Sequence, residues 1–318
     1  MNHNPAQSHI HRLDPRHDLE QVADLVELCF ADTLEPDGRH YLQDLREAAH
    51  NARLMGWAST LSENSPAPLS GYVWEEEGKV IGNLSLIPIR AEGQRCYLIA
   101  NVAVHPDHRG KGIARTLTHT AIEHARSRRV PAVWLQVRDD NPPAVHIYRT
   151  TGFQERACRT TWNSTAPPPE LPAVEGLSLG PRRTEHWPQQ RTWLQALYPP
   201  ALDWHLTFDW RVMRPDLWGM FYRAFLLESV QHWAVERRGR LAGLLTWYRA
   251  SGSTDPLWLA APSQPDESAL LHLLSYARQS IPLGRPLSLN LPYAYAAAAV
   301  RAAGFHPRQT LIWMEHRF

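Results

Sequence analysis

The chain has 318 residues, 43% of them hydrophobic, with a formal net charge of +1. That apolar content supports sizeable cores over a length that suits two domains, and the balanced charge argues against a general nucleic-acid surface. The polar start (Met1-Asn-His-Asn-Pro-Ala-Gln-Ser8) and the lack of an apolar run of about 18 residues predict neither a signal peptide nor a membrane span. Cys29, Cys96 and Cys158 are scattered and odd in number, which fits a reducing, cytoplasmic setting. Seventeen histidines form no His-Glu-x-x-His and meet no cysteine pair, so no metal is expected.

In chain order, the first acidic turn is Ala31-Asp-Thr-Leu-Glu-Pro-Asp-Gly38, whose Asp32, Glu35 and Asp37 suit either an ammonium or a plain turn. Trp74-Glu-Glu-Glu-Gly78-Lys-Val-Ile-Gly82 reads as strand, glycine turn, strand, with Glu75, Glu76 and Glu77 solvated. An apolar strand ending Val102-Ala-Val104 then runs into His105-Pro-Asp-His-Arg-Gly-Lys-Gly112. Ile113, Leu117, Ala121, Ile122 and Ala125 recur at helical spacing, so a helix is predicted over about 112–127. Two glycines before a helix N-terminus form an anion cradle, because uncapped N–H groups and the helix dipole point at the ligand. Arg109, Lys111 and Arg115 add counter-charge. The loop alone fits an ordinary tight turn equally well. Arg115 at the third glycine position argues against a dinucleotide fingerprint, and Gly-Lys-Gly is not the Gly-Lys-Ser/Thr of a P-loop. Ala132-Val-Trp-Leu-Gln-Val137 reads as a strand buried on both faces. Asp140-Asn-Pro-Pro-Ala-Val-His-Ile-Tyr148 reads as a short helix, closed by Gly152-Phe153.

These parts together resemble the GNAT acyltransferase superfamily. Arg109, Gly112 and Ala114 match its Arg/Gln-x-x-Gly-x-Gly/Ala, the preceding Val102-Ala-Val-His-Pro106 matches its strand end, and Asn141, Tyr148 and Gly152-Phe153 follow in order. The resemblance covers roughly residues 10–162. It implies acetyl-CoA as cosubstrate and transfer to a primary amine, small molecule or peptide. The pyrophosphate would sit on Gly110, Lys111, Gly112, Ile113, Ala114 and Arg115. The pantetheine arm would pair with Val102, Ala103 and Val104, near Asn141, and Tyr148 would protonate the leaving thiolate. A buried core aromatic is the other reading of Tyr148. One departure stands out: Leu98-Ile-Ala-Asn-Val102 holds no carboxylate where many relatives carry a Glu base, and His105 is as well read as a loop residue.

The second half repeats the first in character. Val235-Glu-Arg-Arg-Gly239-Arg-Leu-Ala-Gly243 echoes the first hairpin, Gly304-Phe305 echoes Gly152-Phe153, and Asn163 to Ala173 is a Pro-rich linker. Its loop, Ala261-Pro-Ser-Gln-Pro-Asp-Glu-Ser268, has lost the glycines and would turn Asp266 and Glu267 toward phosphates; Val300 stands in the place of Tyr148. The tryptophans of this half, with Leu202 to Trp210 as the best candidate wall, read chiefly as core. The expectation is therefore an α/β fold of two tandem GNAT-like domains, each a mixed twisted sheet flanked by helices. They are a catalytic domain over 1–162, a linker over 163–175 and a degenerate copy over 176–318. The chain would act as an N-acetyltransferase, monomeric or homodimeric, without nucleic-acid or membrane partners. A non-catalytic acyl-CoA binder or scaffold is the alternative.

Overall fold

The computed structural model describes residues 9–31, 36–54, 70–164, 168–171, 173–206, 210–216, 230–250, 252–281 and 284–318. Asp32, Glu35 and Trp218 lie outside the described residues, as does the side chain of Asp37. The chain divides into two compact units, residues 1–157 with 312–318, and residues 158–311.

The first unit holds β1 (Ile10–Arg12), α1 (Leu19–Phe30), α2 (Pro36–Leu54), β2 (Gly71–Glu76), β3 (Lys79–Ala91), β4 (Gln94–Val104), α3 (Ile113–Ser127), β5 (Ala132–Arg138) and α4 (Pro142–Thr150). β1 to β4 are antiparallel neighbours in chain order, and β5 lies parallel to β4. The helix follows from its spacing: Ile113, Leu117, Ala121, Ile122 and Ala125 are all buried against Ile81, Leu84, Tyr97 and Val133. Gly82 lets α3 press onto the sheet, since a Cβ there would meet Ile113 Cγ2 at 2.8 Å. On the other face, α1 and α2 bury Val22, Val26, Leu42 and Leu45 against Val73, Val80 and Ala103.

The second unit repeats this plan. β6 (Gln154–Ser164) leads into β7 (Leu177–Pro181), α5 (Trp187–Leu197), the short α6 (Trp210–Met213), β8 (Val230–Arg237), β9 (Arg240–Tyr248), β10 (Asp255–Ala260), α7 (Glu267–Ser280), β11 (Leu287–Pro292), α8 (Ala297–Ala302) and β12 (Phe305–Arg317). β7 to β10 are antiparallel neighbours and β11 lies parallel to β10. Gly243 answers Gly82: a Cβ there would meet Leu270 Cδ2 at 2.8 Å. Trp233, Trp247 and Trp258 are buried in this unit and Trp313 in the first, so these four tryptophans are core.

The division differs from the expected 1–162, 163–175 and 176–318. β6 follows α4 in sequence, yet from Cys158 on it belongs to the second unit, where Thr160, Thr161 and Trp162 pair with Leu291, Asn290 and Leu289 of β11. β12 follows α8, yet from Ile312 on it belongs to the first unit, next to β5, where Phe318 N–H donates to Pro131 O at 3.2 Å. Each unit is thus completed by a strand end from the other half of the chain. The Pro-rich stretch cannot mark the boundary, because residues 158–164 are already paired strand. Among the described residues no helix is long and apolar enough to cross a membrane.

Candidate active site

β4 and β5 pair over three positions, Tyr97 with Val133, Leu98 with Trp134 and Ile99 with Leu135. β4 then runs on to Val104 and β5 to Arg138 without further pairing. The divergence has a local cause. Pairing of β4 with β3 skips from Ala100–Ser85 to Ala103–Asn83, and Asn101 adopts a φ of 51°. A bulge bends its strand, and asparagine tolerates this left-handed backbone better than most residues. Asn83 Nδ2 donates to Asn101 O at 2.9 Å and Asn101 Nδ2 reaches Ser85 Oγ at 3.5 Å, which pins the bulge. The backbone of 100–104 therefore borders an open wedge. Within it Ala103 packs toward α1 and α2, while Val102 and Val104 lean on the α3 core.

Past Val104 the chain makes a single turn over Pro106–His108 and enters α3 through Gly110 (φ 78°) and Gly112 (φ 81°). Both glycines sit in the left-handed region with open space around them, so backbone conformation rather than crowding demands glycine there. No side chain caps the α3 N-terminus. Arg109 Nε donates to Val104 O at 3.2 Å, Arg115 Nη2 to Thr150 Oγ1 at 2.9 Å, and Lys111 Nζ lies 3.4 Å from His108 Nδ1. Among the described residues, none of the three is neutralised by a carboxylate. Two expectations shift here. Val104 O, assigned to a ligand strand, already accepts from Arg109 and from Cys29 Sγ at 3.3 Å. Glu76 is not a solvated turn residue: it ends β2, accepts from Trp74 Nε1 at 2.9 Å and lies 3.4 Å from His108 Nδ1. His105 caps the turn after β4, accepting from Asp107 N–H at 3.4 Å. Ile113 is buried, which leaves only its backbone to the loop face.

α4 starts at Pro142, with Asn141 Oδ1 accepting from Ala144 N–H at 3.2 Å, so half of the Asn141 amide is spent as a helix cap. Tyr148, 7% exposed, lies in the core beside Val145 and edge-on to Phe153, 6.0 Å between ring centroids. Its hydroxyl carries no hydrogen bond among the described residues, and burial alone pushes the phenol well above its ordinary value. Gly152, at φ 92°, takes the chain from α4 into β6, and a Cβ there would stand 3.0 Å from His316 Nδ1. Phe153 packs between Tyr148 and His316, so the final strand end helps to fix the tyrosine. Sequence reasoning missed Asn83, Ser85, Cys29 and His316. Asn83 Oδ1 is buried with no partner.

The second unit opens in the same place. β10 and β11 pair from Asp255–Leu287 to Leu257–Leu289, and then β10 continues to Ala260 and β11 to Pro292. Here the wedge is occupied by the chain itself. Leu259 N–H donates to the Tyr198 hydroxyl at 3.3 Å, and the Tyr295 hydroxyl donates to Pro262 O at 2.6 Å. Asp266 caps α7, accepting from Ala269 N–H at 3.0 Å, while Arg237 grips the same carboxylate at 2.8 and 3.1 Å and holds it below its usual value. Val300 is fully buried and offers no hydroxyl.

Residues 19–153 match the acetyltransferase (GNAT) family. A segment of 55 residues is 47% identical to streptothricin acetyltransferase of Streptomyces lavendulae, covering 17% of this chain and 29% of that protein. A segment of 110 residues is 31% identical to mycothiol acetyltransferase of Saccharomonospora viridis, covering 35% and 34%. The chain thus spans about a third of the length of these curated relatives. A GCN5-related N-acetyltransferase from Sphaerobacter thermophilus shares the fold over 97% of this chain and 96% of its own, with a TM-score of 0.55 and 17% identity. With a strand pair that parts at a bulge, a glycine loop feeding an uncapped helix and the family match over the same residues, residues 19–153 are similar to the GNAT family.

Proposed function

We propose that the first unit is an acetyl-CoA-dependent N-acetyltransferase that passes an acetyl group to a primary amine by direct attack. The observation that carries this reading is the parting of β4 from β5 just before an uncapped helix N-terminus. The edge of Val102, Ala103 and Val104 that β5 leaves unpaired suits an amide-bearing pantetheine arm through groups other than Val104 O. The N–H groups of Gly110 to Arg115 suit a pyrophosphate. Among the described residues, Arg109, Lys111 and Arg115 have only neutral or histidine partners and suit phosphate oxygens. Asn141 retains its Nδ2 for the arm.

In the chemical step a neutral amine attacks the thioester carbonyl, polarised by backbone N–H groups around Val104. The C–N bond forms and the C–S bond breaks. Tyr148, kept protonated by its buried setting, donates its proton to the departing thiolate. The amine's surplus proton passes to water, which in turn reprotonates the Tyr148 phenolate, because the groups around Asn101 are the amides and hydroxyl of Asn83, Ser85 and Asn101 rather than a carboxylate.

The test is release of free thiol from acetyl-CoA across a broad panel of amines. Amine-dependent release supports the enzyme. Tight acetyl-CoA binding with no release above background by any amine would replace it with an acyl-CoA-binding role, the reading that the missing carboxylate favours.

A further inference from the structure

The second unit contains a cavity of about 710 Å³, within the range of small-molecule sites. Its walls come from Tyr198 and His205 after α5, Tyr248 and Arg249 at the end of β9, Trp258 of β10 and Asn290 of β11. Among the described residues, no aspartate or glutamate lines it. Behind the wall stands Arg159, 3% exposed, with its guanidinium 5.2 Å from the centre of the Tyr198 ring. Arg159 donates to Asn290 Oδ1 at 2.5 Å, Asn290 O at 2.8 Å and Leu197 O at 2.8 Å. All three acceptors are neutral, and among the described residues no carboxylate pairs with it.

Burial lowers the Arg159 pKa to about 10, so it stays charged at neutral pH. Buried charges ordinarily meet a counter-ion, because desolvation is otherwise uncompensated. Among the described residues, nearby acids do not supply one. Asp255 is buried beside the cavity, but it accepts from Ala250 N–H at 3.2 Å and lies 3.7 Å from Arg285. Asp203 is on the surface. Burial, and after it the field of Arg159, lowers His205 from its ordinary value. Arg249 adds a second cation at the rim, exposed and without an ion-pair partner among the described residues.

We propose that this cavity binds a small organic carboxylate with an aromatic body, its negative charge drawn by Arg159 and Arg249 and its ring held among Tyr198, Tyr248 and Trp258. The site is separate from the acetyl-CoA wedge and does not depend on it.

The experiment titrates the full chain, pre-saturated with CoA, with phenylacetate and with its neutral isostere phenylacetamide, followed by tryptophan fluorescence. Saturable quenching by phenylacetate, at least roughly tenfold tighter than by the amide, is expected. Arg249→Glu, a change at an exposed position that leaves the core intact, should weaken phenylacetate by roughly fivefold or more and leave the amide unchanged. Equal binding of acid and amide, no saturable binding to millimolar concentrations, or indifference to Arg249→Glu would each overturn the proposal.

Discussion

The two units part their sheets after the same three parallel pairs, but fill the gap differently. In the first, the wedge beside residues 100–104 opens onto a helix with no side-chain cap. In the second, a tyrosine hydroxyl sits on Leu259 N–H and an aspartate occupies the α7 N-terminus. Even the charges are exchanged: Glu76 faces His108 in the first unit, and Arg237 grips Asp266 in the second. One architecture leaves its sheet edge and helix end open or satisfies them itself, according to the groups the chain supplies there. Asp266 does for α7 what a phosphate would do for α3.

The sharpest way to break this contrast is at the hydroxyl that Val300 lacks. Tyr148→Phe should lower kcat by roughly ten- to a thousandfold and leave acetyl-CoA affinity nearly intact, since the proton matters only as the thiolate forms. A variant that loses affinity but keeps turnover would make Tyr148 a binding residue.

Next in size is the loop. Gly112→Asp places a side chain at φ 81° and a negative charge at the phosphates, and should weaken acetyl-CoA by at least about 2 kcal/mol, near thirtyfold. Calorimetry on the parent chain should show one acetyl-CoA per chain. Two equal sites, or unchanged binding in the variant, would erase the distinction between the units.

Asp266→Ala probes the other side. Losing the cap and its Arg237 partner should cost about 1 kcal/mol in urea unfolding at neutral pH. The folded carboxylate lies below its ordinary value, so its contribution is present above the unfolded pKa of about 3.9 and disappears as pH falls through the lower folded value. The gap between parent and variant should therefore close in acid. A gap that persists there would mean the carboxylate charge is not what stabilises α7.

The smallest effect expected is in the pH profile. With amides around Asn101 and a phenol held well above its usual value, turnover should climb with pH and show no plateau near neutrality. A plateau with an apparent pKa of about 6 to 7 would reveal a side-chain base.

Local features were legible in the sequence and long-range ones were not. The glycines at 110 and 112, the helix of Ile113 to Ser127 and the register of Tyr148 with Gly152-Phe153 each follow from neighbours within a few residues. The bulge was hidden, since nothing near Asn101 announces a left-handed asparagine on a continuous apolar strand. Glu76 read as solvent-facing because three glutamates precede a glycine, whereas β2 runs through it and brings it to His108. The partners of β6 and β12 could not be read at all. Alternating strands specify which face is buried, not which edge they join.

That last feature bears on the order in which a working protein is made. Met314 and His316, which pack around Tyr148 and Phe153, lie on the far side of residues 158–311 from them in the chain. At roughly 5–20 residues per second, the whole of 158–311 is translated before they arrive, a delay on the order of ten seconds. The first unit cannot finish its own core during that time. The surroundings of Tyr148 are therefore completed only after the second unit has been synthesised.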